Sequence, residues 1–200
     1  MCEFDYQLNL IPLTRQELLS TVCEKVSKKR FKHILGVEQA AIELAKRYEV
    51  SIEKASIAAL LHDYCKELSD EQFRQAIVDY RLDSELLDWN NNIWHGMVGR
   101  FIIEDVLDIH DVEILHAIEI HTTGSNQMNL LDKVLYVADY IEAGRSFPAV
   151  EAARLIAASN LDAAVAYETS QTLLHLIRQN VPIHPLTLQT YNHFCANMLV

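Results

Sequence analysis

The pair His62-Asp63 places two side chains that can bind metal directly after a wholly apolar stretch, residues 57–61. Such a stretch is typical of a helix that is buried on every side. Burying an imidazole and a carboxylate at its end costs several kcal/mol unless something satisfies them, and a metal ion would do so. The same dipeptide at His110-Asp111 stands at a predicted helix start, where Asp111 is explained as an N-cap. The dipeptide alone is therefore weak evidence.

Further candidate ligands are separated along the chain by about one helix plus one loop, so that each would project from a different helix into a shared interior. They are His33, His95, His121 and Asp139. Each of these histidines, taken singly, is more often a core or capping residue than a ligand. A nearby Arg or Lys is the alternative partner for Asp139. The ordered set as a whole favours a metal site.

Four imidazoles and two carboxylates are too many ligands for one tetrahedral zinc site and suit two metal ions, with a carboxylate able to bridge them. Mixed nitrogen and oxygen donors favour iron, manganese or a related divalent ion over metals that prefer soft ligands. Two such ions, about 3.5 to 4 Å apart, can hold a bridging hydroxide as nucleophile and clamp a phosphoryl group. The pattern predicts a metal-dependent phosphohydrolase.

Six segments around these positions follow one another in a specific order. They are Arg30-Phe31-x-His33, Leu60-Leu61-His62-Asp63-x-x-Lys66, His95-Gly96-x-Val98-Gly99, His121-Thr122-Thr123-Gly124, Ala138-Asp139-Tyr140-Ile141-Glu142, and His184-Pro185-Leu186-Thr187 with Tyr191-Asn192. Over about residues 30–192 the chain resembles the HD-domain phosphohydrolase superfamily, and within it the bacterial YqeK family. The resemblance implies an all-α HD domain that hydrolyses diadenosine tetraphosphate symmetrically to two ADP.

The resemblance also implies a role for each site residue. One iron would be held by His33, His62, Asp63 and Asp139, and Asp63 would bridge to a second iron held by His95 and His121. Asp63, Lys66 and Arg145 form the expected catalytic set, in which Lys66 and Arg145 face phosphate oxygens and offset the charge of the leaving ADP. Beside the resemblance, the position of Arg30 in a basic cluster near His33 and the hydroxyls of Thr122 and Thr123 after His121 make these three residues further expected substrate contacts. Ala143 departs from the family pattern, which has proline two positions before this arginine.

Each substrate contact has a purely structural alternative. Lys66 and Arg145 would be solvated or paired with Glu67 and Glu142, and the two threonines would simply end a helix. The basic cluster at residues 28–32 would be a solvated face, although it lies within two turns of His33. Aromatic side chains that could stack on an adenine, at Tyr64, Trp89, Trp94 and Tyr140, are more often core residues.

Helical periodicity runs through nearly the whole chain. The predicted helices are 14–26, 31–48, 51 to the His62-Asp63 pair, 70–80, 93–107, 111–121, 130–142, 148–159, 161–180, and a last one after Pro185 that reaches Val200. Thr14 and Glu17 predict a capping box at the first helix, and Gly124 predicts a left-handed stop. We expect one domain over 1–200, with an N-terminal appendage at 1–27, a metal-binding core at 28–145 and C-terminal helices at 146–200.

Composition supports a helical fold and limits the partners. Only 5 Gly and 4 Pro occur in 200 residues, which disfavours sandwiches, barrels and disordered chains. A net charge of −11 argues against a nucleic-acid polymer as partner, whereas a small polyphosphate entering a metal-lined cleft is compatible with it. Four cysteines without a Cys-x-x-Cys pair indicate reduced thiols, and no stretch approaches a membrane span, so we expect a cytoplasmic protein.

The expected function is therefore symmetrical hydrolysis of a dinucleoside polyphosphate by a two-metal-activated hydroxide. Two alternatives stay open. One is an HD phosphohydrolase that acts on another nucleotide, such as a nucleoside triphosphate or a guanosine alarmone. The other is a non-catalytic sensor that binds metal and nucleotide without turnover. A homodimer is compatible with the sequence, which does not decide the oligomeric state.

Overall fold

The computed structural model describes residues 4–196, and within that range it contains helices and no strands. The α-helices are α1 (Arg15–Lys25), α2 (Lys28–Arg47), α3 (Ile52–Leu61), α4 (Asp70–Asp79), α5 (Asn91–Met97), α6 (Gly99–Leu107), α7 (Val112–Ile120), α8 (Leu130–Ile141), α9 (Val150–Ala157), α10 (Leu161–Gln179) and α11 (Pro185–Ala196), with a 3₁₀ helix at Ser84–Asp88. The predicted all-α class is confirmed.

Helix ends follow the capping residues in the sequence. Thr14 and Glu17 form the predicted capping box of α1. Ser51 and Asp111 accept hydrogen bonds from the first turns of α3 and α7 as N-caps. The basic cluster belongs to the first turn of α2, which begins earlier than predicted because the Ser27 side chain caps it. The predicted extension of the last helix to Val200 lies outside the described residues.

Helix α3 is the centre of the bundle. Its residues 57–61 are fully buried, as the all-apolar stretch predicted. It packs against α1, α2, α7 and α8, so polar groups at its end are surrounded by other helices. The core that contains these helices is apolar and continuous. The fold therefore brings the end of α3 to the place where several helices meet.

The predicted single helix at 93–107 is wrong, because the chain forms two helices, α5 and α6, that meet at Val98. Glycines on either side of this junction let it approach other helices closely. A Cβ on Gly96 would lie 2.8 Å from the Glu119 carbonyl oxygen of α7, and one on Gly99 would lie 3.1 Å from Cys65 Cβ. The apolar periodicity continues through the junction, which is why the sequence pattern did not reveal it.

The terminal segments are anchored on the core by specific hydrogen bonds. Glu53 at the start of α3 accepts hydrogen bonds from the backbone amides of Gln7 and Leu8. At the other end of the chain, Thr190 of α11 donates to the Thr123 carbonyl at 3.2 Å. Thr190 also packs against Gly124, whose φ of +67° confirms the predicted left-handed stop.

Three cysteines, Cys23, Cys65 and Cys195, are free thiols, and Cys2 lies outside the described residues. Among residues 4–196, no helix has both the length and the apolar character that crossing a bilayer requires.

Candidate metal centre

Six imidazole and carboxylate side chains converge at the end of α3. They belong to the helices α2, α3, α5, α7 and α8 or to the residues that directly follow them. His33 lies in the second turn of α2, His62 and Asp63 directly follow α3, His95 lies in α5, His121 caps α7, and Asp139 lies in the last turn of α8. The structure thus brings together all six residues that the sequence singled out as metal ligands.

The donor atoms of these residues form two groups, within each of which all of them lie within 4.8 Å of one another. One group contains His33, His62 and Asp139; the other contains Asp63, His95 and His121. Asp63 lies between them. Its Oδ2 is 3.4 Å from His62 Nε2, and its Oδ1 is 3.4 Å from His95 Nε2. A carboxylate placed in this way can bridge two ions.

In all four imidazoles the Nδ1 atom forms a hydrogen bond to a group outside the cluster. Each Nδ1 lies against an oxygen: His33 on Glu142 Oε1 at 3.2 Å, His62 on Ala59 O at 2.6 Å, His95 on Asn91 O at 2.6 Å, and His121 on Ile118 O at 2.7 Å. Because these oxygens only accept, each Nδ1 donates a proton to them. In the neutral rings the lone pair therefore stands on Nε2, which faces the interior of the cluster. This is the arrangement that metal-binding histidines use.

The inward-facing nitrogen atoms fit a bound cation. His95 Nε2 and His121 Nε2 are only 3.0 Å apart, although each is the unprotonated nitrogen of its neutral ring. His62 Nε2 is fully buried and has no hydrogen-bond partner among the described residues. His33 Nε2 lies 3.1 Å from Asp139 Oδ1. When the His33 ring is neutral and protonated on Nδ1, both of these atoms are acceptors. A positive charge between such atoms removes the repulsion, so the donor set fits metal ions.

A comparison with known families agrees with this geometry, because a model of the HD domain matches residues 30–144. The chain belongs to the HD-domain family. The match includes all six residues of the cluster. The predicted family resemblance is confirmed, as is the prediction that the chain is an enzyme of the hydrolase class.

Similarity to known relatives covers most of the chain, beyond the segment that matches the HD-domain model. The chain is 39% identical over 180 residues to the symmetrical bis(5'-nucleosyl)-tetraphosphatase of Bacillus subtilis, covering 90% of this chain and 97% of that relative. It is 36% identical over 173 residues to the protein of the same name from Staphylococcus aureus, covering 86% and 89%. A crystal structure from Clostridium acetobutylicum, described as a predicted HD superfamily hydrolase involved in NAD metabolism, superposes with a TM-score of 0.86 at 34% identity, covering 91% of this chain and 97% of that one.

Burial and charge set the protonation of the HD-domain cluster. Burial, together with the neighbouring His62, lowers the pKa of His121 to about 4. Burial and the nearby His121 and Lys66 likewise hold the pKa of His95 well below its usual value. Both rings are therefore neutral at physiological pH, as metal ligands must be. Burial alone would raise the pKa of the Asp63 carboxyl, but His62 and the other imidazoles hold it well below the ordinary range.

Three cations surround the cluster, as the sequence predicted. Arg30 donates to Asp63 Oδ2 at 2.6 Å, and Arg145 donates to Asp139 Oδ1 at 2.7 Å. Lys66 Nζ lies 3.2 Å from His95 Nδ1, and burial lowers its pKa. Among the described residues Lys66 forms no ion pair with its neighbour Glu67, which accepts hydrogen bonds from Ser27.

The two threonines after His121 differ in their surroundings. Thr122 is half-buried, and its Oγ1 has no hydrogen-bond partner within residues 4–196. Thr123 is fully buried and its hydroxyl donates to the Gly124 carbonyl at 3.0 Å, so the structure does not place this hydroxyl in the cluster. Of the aromatic candidates, Trp94 is fully buried, whereas Trp89 packs against His184 in a tilted arrangement with ring centroids 4.6 Å apart.

Two residues of the HD-domain site were not singled out by the sequence analysis. Glu142 contacts His33, and Asn91 supplies the carbonyl for His95 while its side chain donates to the Lys66 carbonyl at 3.0 Å. For Glu142 the sequence carries only its place three positions after Asp139, at the end of the same helix, and this does not reveal its contact with α2.

Proposed function

We propose that this chain hydrolyses diadenosine tetraphosphate, or a close dinucleoside polyphosphate, symmetrically into two nucleoside diphosphates at a centre of two metal ions. Two kinds of observation support the proposal. Relatives that carry this activity in their names match at least 86% of the chain. The observation that carries it is the pair of donor groups with Asp63 between them, because two adjacent ions can stabilise both the attacking and the leaving oxygen of an in-line displacement at phosphorus.

The residues present suit two ions with a shared carboxylate. His33, His62, Asp63 and Asp139 would hold the first ion, and Asp63, His95 and His121 would hold the second. When bound, the ions would supply Lewis-acid activation of water and of the phosphoryl group. Nitrogen and oxygen donors without a thiolate favour iron, with manganese as the alternative.

The cations of this chain would bind and orient the polyphosphate. Arg30 and Arg145 donate to the ligand carboxylates and Lys66 Nζ lies beside His95, so N–H donors of these three side chains that are not used in those bonds can reach oxygens of a phosphate placed over the cluster. Lys66 and Arg145 would offset the charge that develops on the leaving diphosphate, a good leaving group that needs no strong general acid. The Thr122 hydroxyl, which has no protein partner among the described residues, is a further donor to phosphate. A contact from Thr123 stays a prediction.

The protein surface limits the partner to a small anion. With a net charge of −11, the chain disfavours a long polyanion across its surface, while the basic side chains at the cluster provide a local cationic entrance. A single small-molecule polyphosphate satisfies both conditions.

Product identification on the purified protein tests the proposal. With Fe²⁺ or Mn²⁺ added, diadenosine tetraphosphate should yield ADP alone. AMP plus ATP would contradict symmetrical attack, and nucleotide binding without any product would indicate the sensor alternative. A panel of nucleoside triphosphates and guanosine alarmones, assayed in parallel, identifies the preferred substrate.

The second His-Asp dipeptide offers a matched control for this assay. His62→Ala should abolish turnover, because it removes a buried donor of the cluster. His110→Ala changes an exposed histidine outside the cluster and should leave turnover unchanged. Retained activity in His62→Ala, with metal still bound, would contradict the assignment of the centre.

A further inference from the structure

His33 differs from the other three histidines of the cluster in the group that accepts its Nδ1 proton. His62, His95 and His121 donate to backbone carbonyls three or four residues earlier in their own helices. His33 donates instead to the side chain of Glu142, which is 109 positions away. The Glu142 carboxylate lies in the C-cap residue of α8, three positions after Asp139.

Position in the helix distinguishes His33 from the two histidines that cap their helices. His62 and His121 cap α3 and α7, where the last carbonyls lack helical donors and can accept from a side chain. His33 lies inside the 20-residue helix α2, where the carbonyls accept from the helix itself. The acceptor for His33 Nδ1 comes instead from Glu142, the C-cap residue of α8.

The Glu142 carboxylate is itself held in place. Its side chain is only 7% exposed, and its Oε2 accepts the backbone N–H of Gly144 at 2.5 Å. Arg145 Nε is more distant, at 3.9 Å from Oε1. The oxygen that faces His33 is therefore oriented by the local turn after α8.

Gly36 provides the space for this carboxylate. It lies one helical turn after His33, and a Cβ at this position would stand 2.5 Å from Glu142 Oε2. The atom in conflict is the end of a flexible side chain, so alanine at this position would displace the carboxylate rather than disrupt the helix. Alanine is also the better helix former.

We infer that Glu142 is a positioning residue that holds His33 in the Nδ1-protonated tautomer with Nε2 directed at the metal, and that Gly36 is glycine so that this carboxylate can reach the ring. The inference rests on the proposed function, because it assigns a purpose to His33 as a ligand. Carboxylates that orient a ligating imidazole fix its tautomer and its ring orientation, and their loss weakens metal binding.

Metal binding to the stripped full-length protein tests this without any substrate. Mn²⁺ titration by calorimetry gives the affinity, and the visible absorption of bound Co²⁺ reports the ligand geometry. The variants are Glu142→Ala, Glu142→Gln and Gly36→Ala. Glu53→Gln is the matched control, because Glu53 is also a buried carboxylate that accepts backbone amides but lies outside the cluster.

The expected results differ between variants. Glu142→Ala should weaken Mn²⁺ binding at one site about ten- to a hundred-fold and change the Co²⁺ spectrum. Glu142→Gln keeps an oxygen acceptor and should recover part of the affinity. Gly36→Ala should weaken Mn²⁺ binding while its melting temperature equals or exceeds that of the wild type, a combination that general destabilisation does not produce.

Two results would overturn the inference alone. One is wild-type Mn²⁺ affinity and Co²⁺ spectra in both Glu142→Ala and Gly36→Ala. The other is a loss of affinity in Glu53→Gln as large as in the Glu142 variants, which would indicate a general effect of buried carboxylates. A wild-type protein that binds no Mn²⁺ or Co²⁺ would contradict the proposed function itself.

Discussion

His95 and His121 face each other through their Nε2 atoms at 3.0 Å, while the Nδ1 of each ring donates to a backbone carbonyl. Burial lowers the pKa of both rings, so a proton is not retained between them at neutral pH. Two lone pairs at this distance repel unless a cation lies between or beside them. A metal ion bound at these two nitrogen atoms should therefore stabilise the folded protein.

Adding metal to the stripped protein should raise its melting temperature. A ligand at about 100 times its Kd adds about 2.7 kcal/mol, which corresponds to about 5 to 10 °C for a chain of this size. His121→Ala should lose most of the shift, whereas His175→Ala, an exposed residue outside the cluster, should keep it. Differential scanning calorimetry with and without Mn²⁺ measures the effect, and equal shifts in both variants would contradict the assignment.

Arg145→Ala should separate substrate binding from metal binding. Arg145 neutralises Asp139 at 2.7 Å, so its removal leaves the carboxylate free for the metal and should not lower metal affinity. Loss of a charged hydrogen bond to phosphate should decrease kcat/KM about ten- to a hundred-fold. Steady-state kinetics with parallel Mn²⁺ titration checks both parts. An unchanged kcat/KM would assign Arg145 a structural role only.

Glu38→Ala should strongly lower the free energy of unfolding without removing any contact of the metal-ligand cluster. Glu38 on α2 accepts two hydrogen bonds from the buried Arg15 of α1, at 2.9 and 2.8 Å, and one from Ser56 of α3. Removing one partner of a buried ion pair costs about 3 to 5 kcal/mol. Urea unfolding measures the loss. A cost under about 1 kcal/mol would show that the proposed appendage at 1–27 contributes little to the stability of the core.

His116 should make stability depend on pH. Its Nδ1 lies 3.0 Å from the buried Asp132, and the hydrogen bond to Asp132 raises the pKa of the imidazole. Glu119 adds a smaller increase in this pKa and Arg100 a smaller decrease. Because the folded pKa is raised, the stabilisation is fully present below the unfolded pKa of about 6.5 and is lost as the pH rises through the folded value.

The pair is partly exposed, so the pH-dependent contribution is less than about 1 kcal/mol. Urea unfolding at pH 6 and pH 9 should show a larger decrease in the wild type than in His116→Ala. Parallel changes in the two proteins would show that other groups cause the pH dependence.

The sequence predicted His62, Asp63 and Asp139 because polar side chains at apolar helices stand out from their surroundings, whereas His33, His95 and His121 were predicted from their spacing and from the ordered family motifs. His62, Asp63 and Asp139 each follow or interrupt an apolar stretch, and burial at such positions needs a partner. The helix ends were predicted for a similar reason, since capping residues such as Thr14 and Asp111 act within a few positions of themselves.

Glu142 and the junction at Val98 depend on contacts that local patterns do not contain. Glu142 resembles any charged residue at a helix end until α2 is placed beside α8. The break between α5 and α6 interrupts no periodicity and is marked only by glycines whose close neighbours, Glu119 and Cys65, lie elsewhere in the chain. Both features come from tertiary packing.

The distribution of the cluster over five helices has a consequence for biosynthesis. His33 and Asp139 belong to the same donor group but are separated by more than half of the chain. During translation the first group therefore stays incomplete until α8 has left the ribosome and docked on α2 and α3. We therefore expect metal binding by this group to follow assembly of the bundle, because no nascent fragment that ends before Asp139 contains both halves of it.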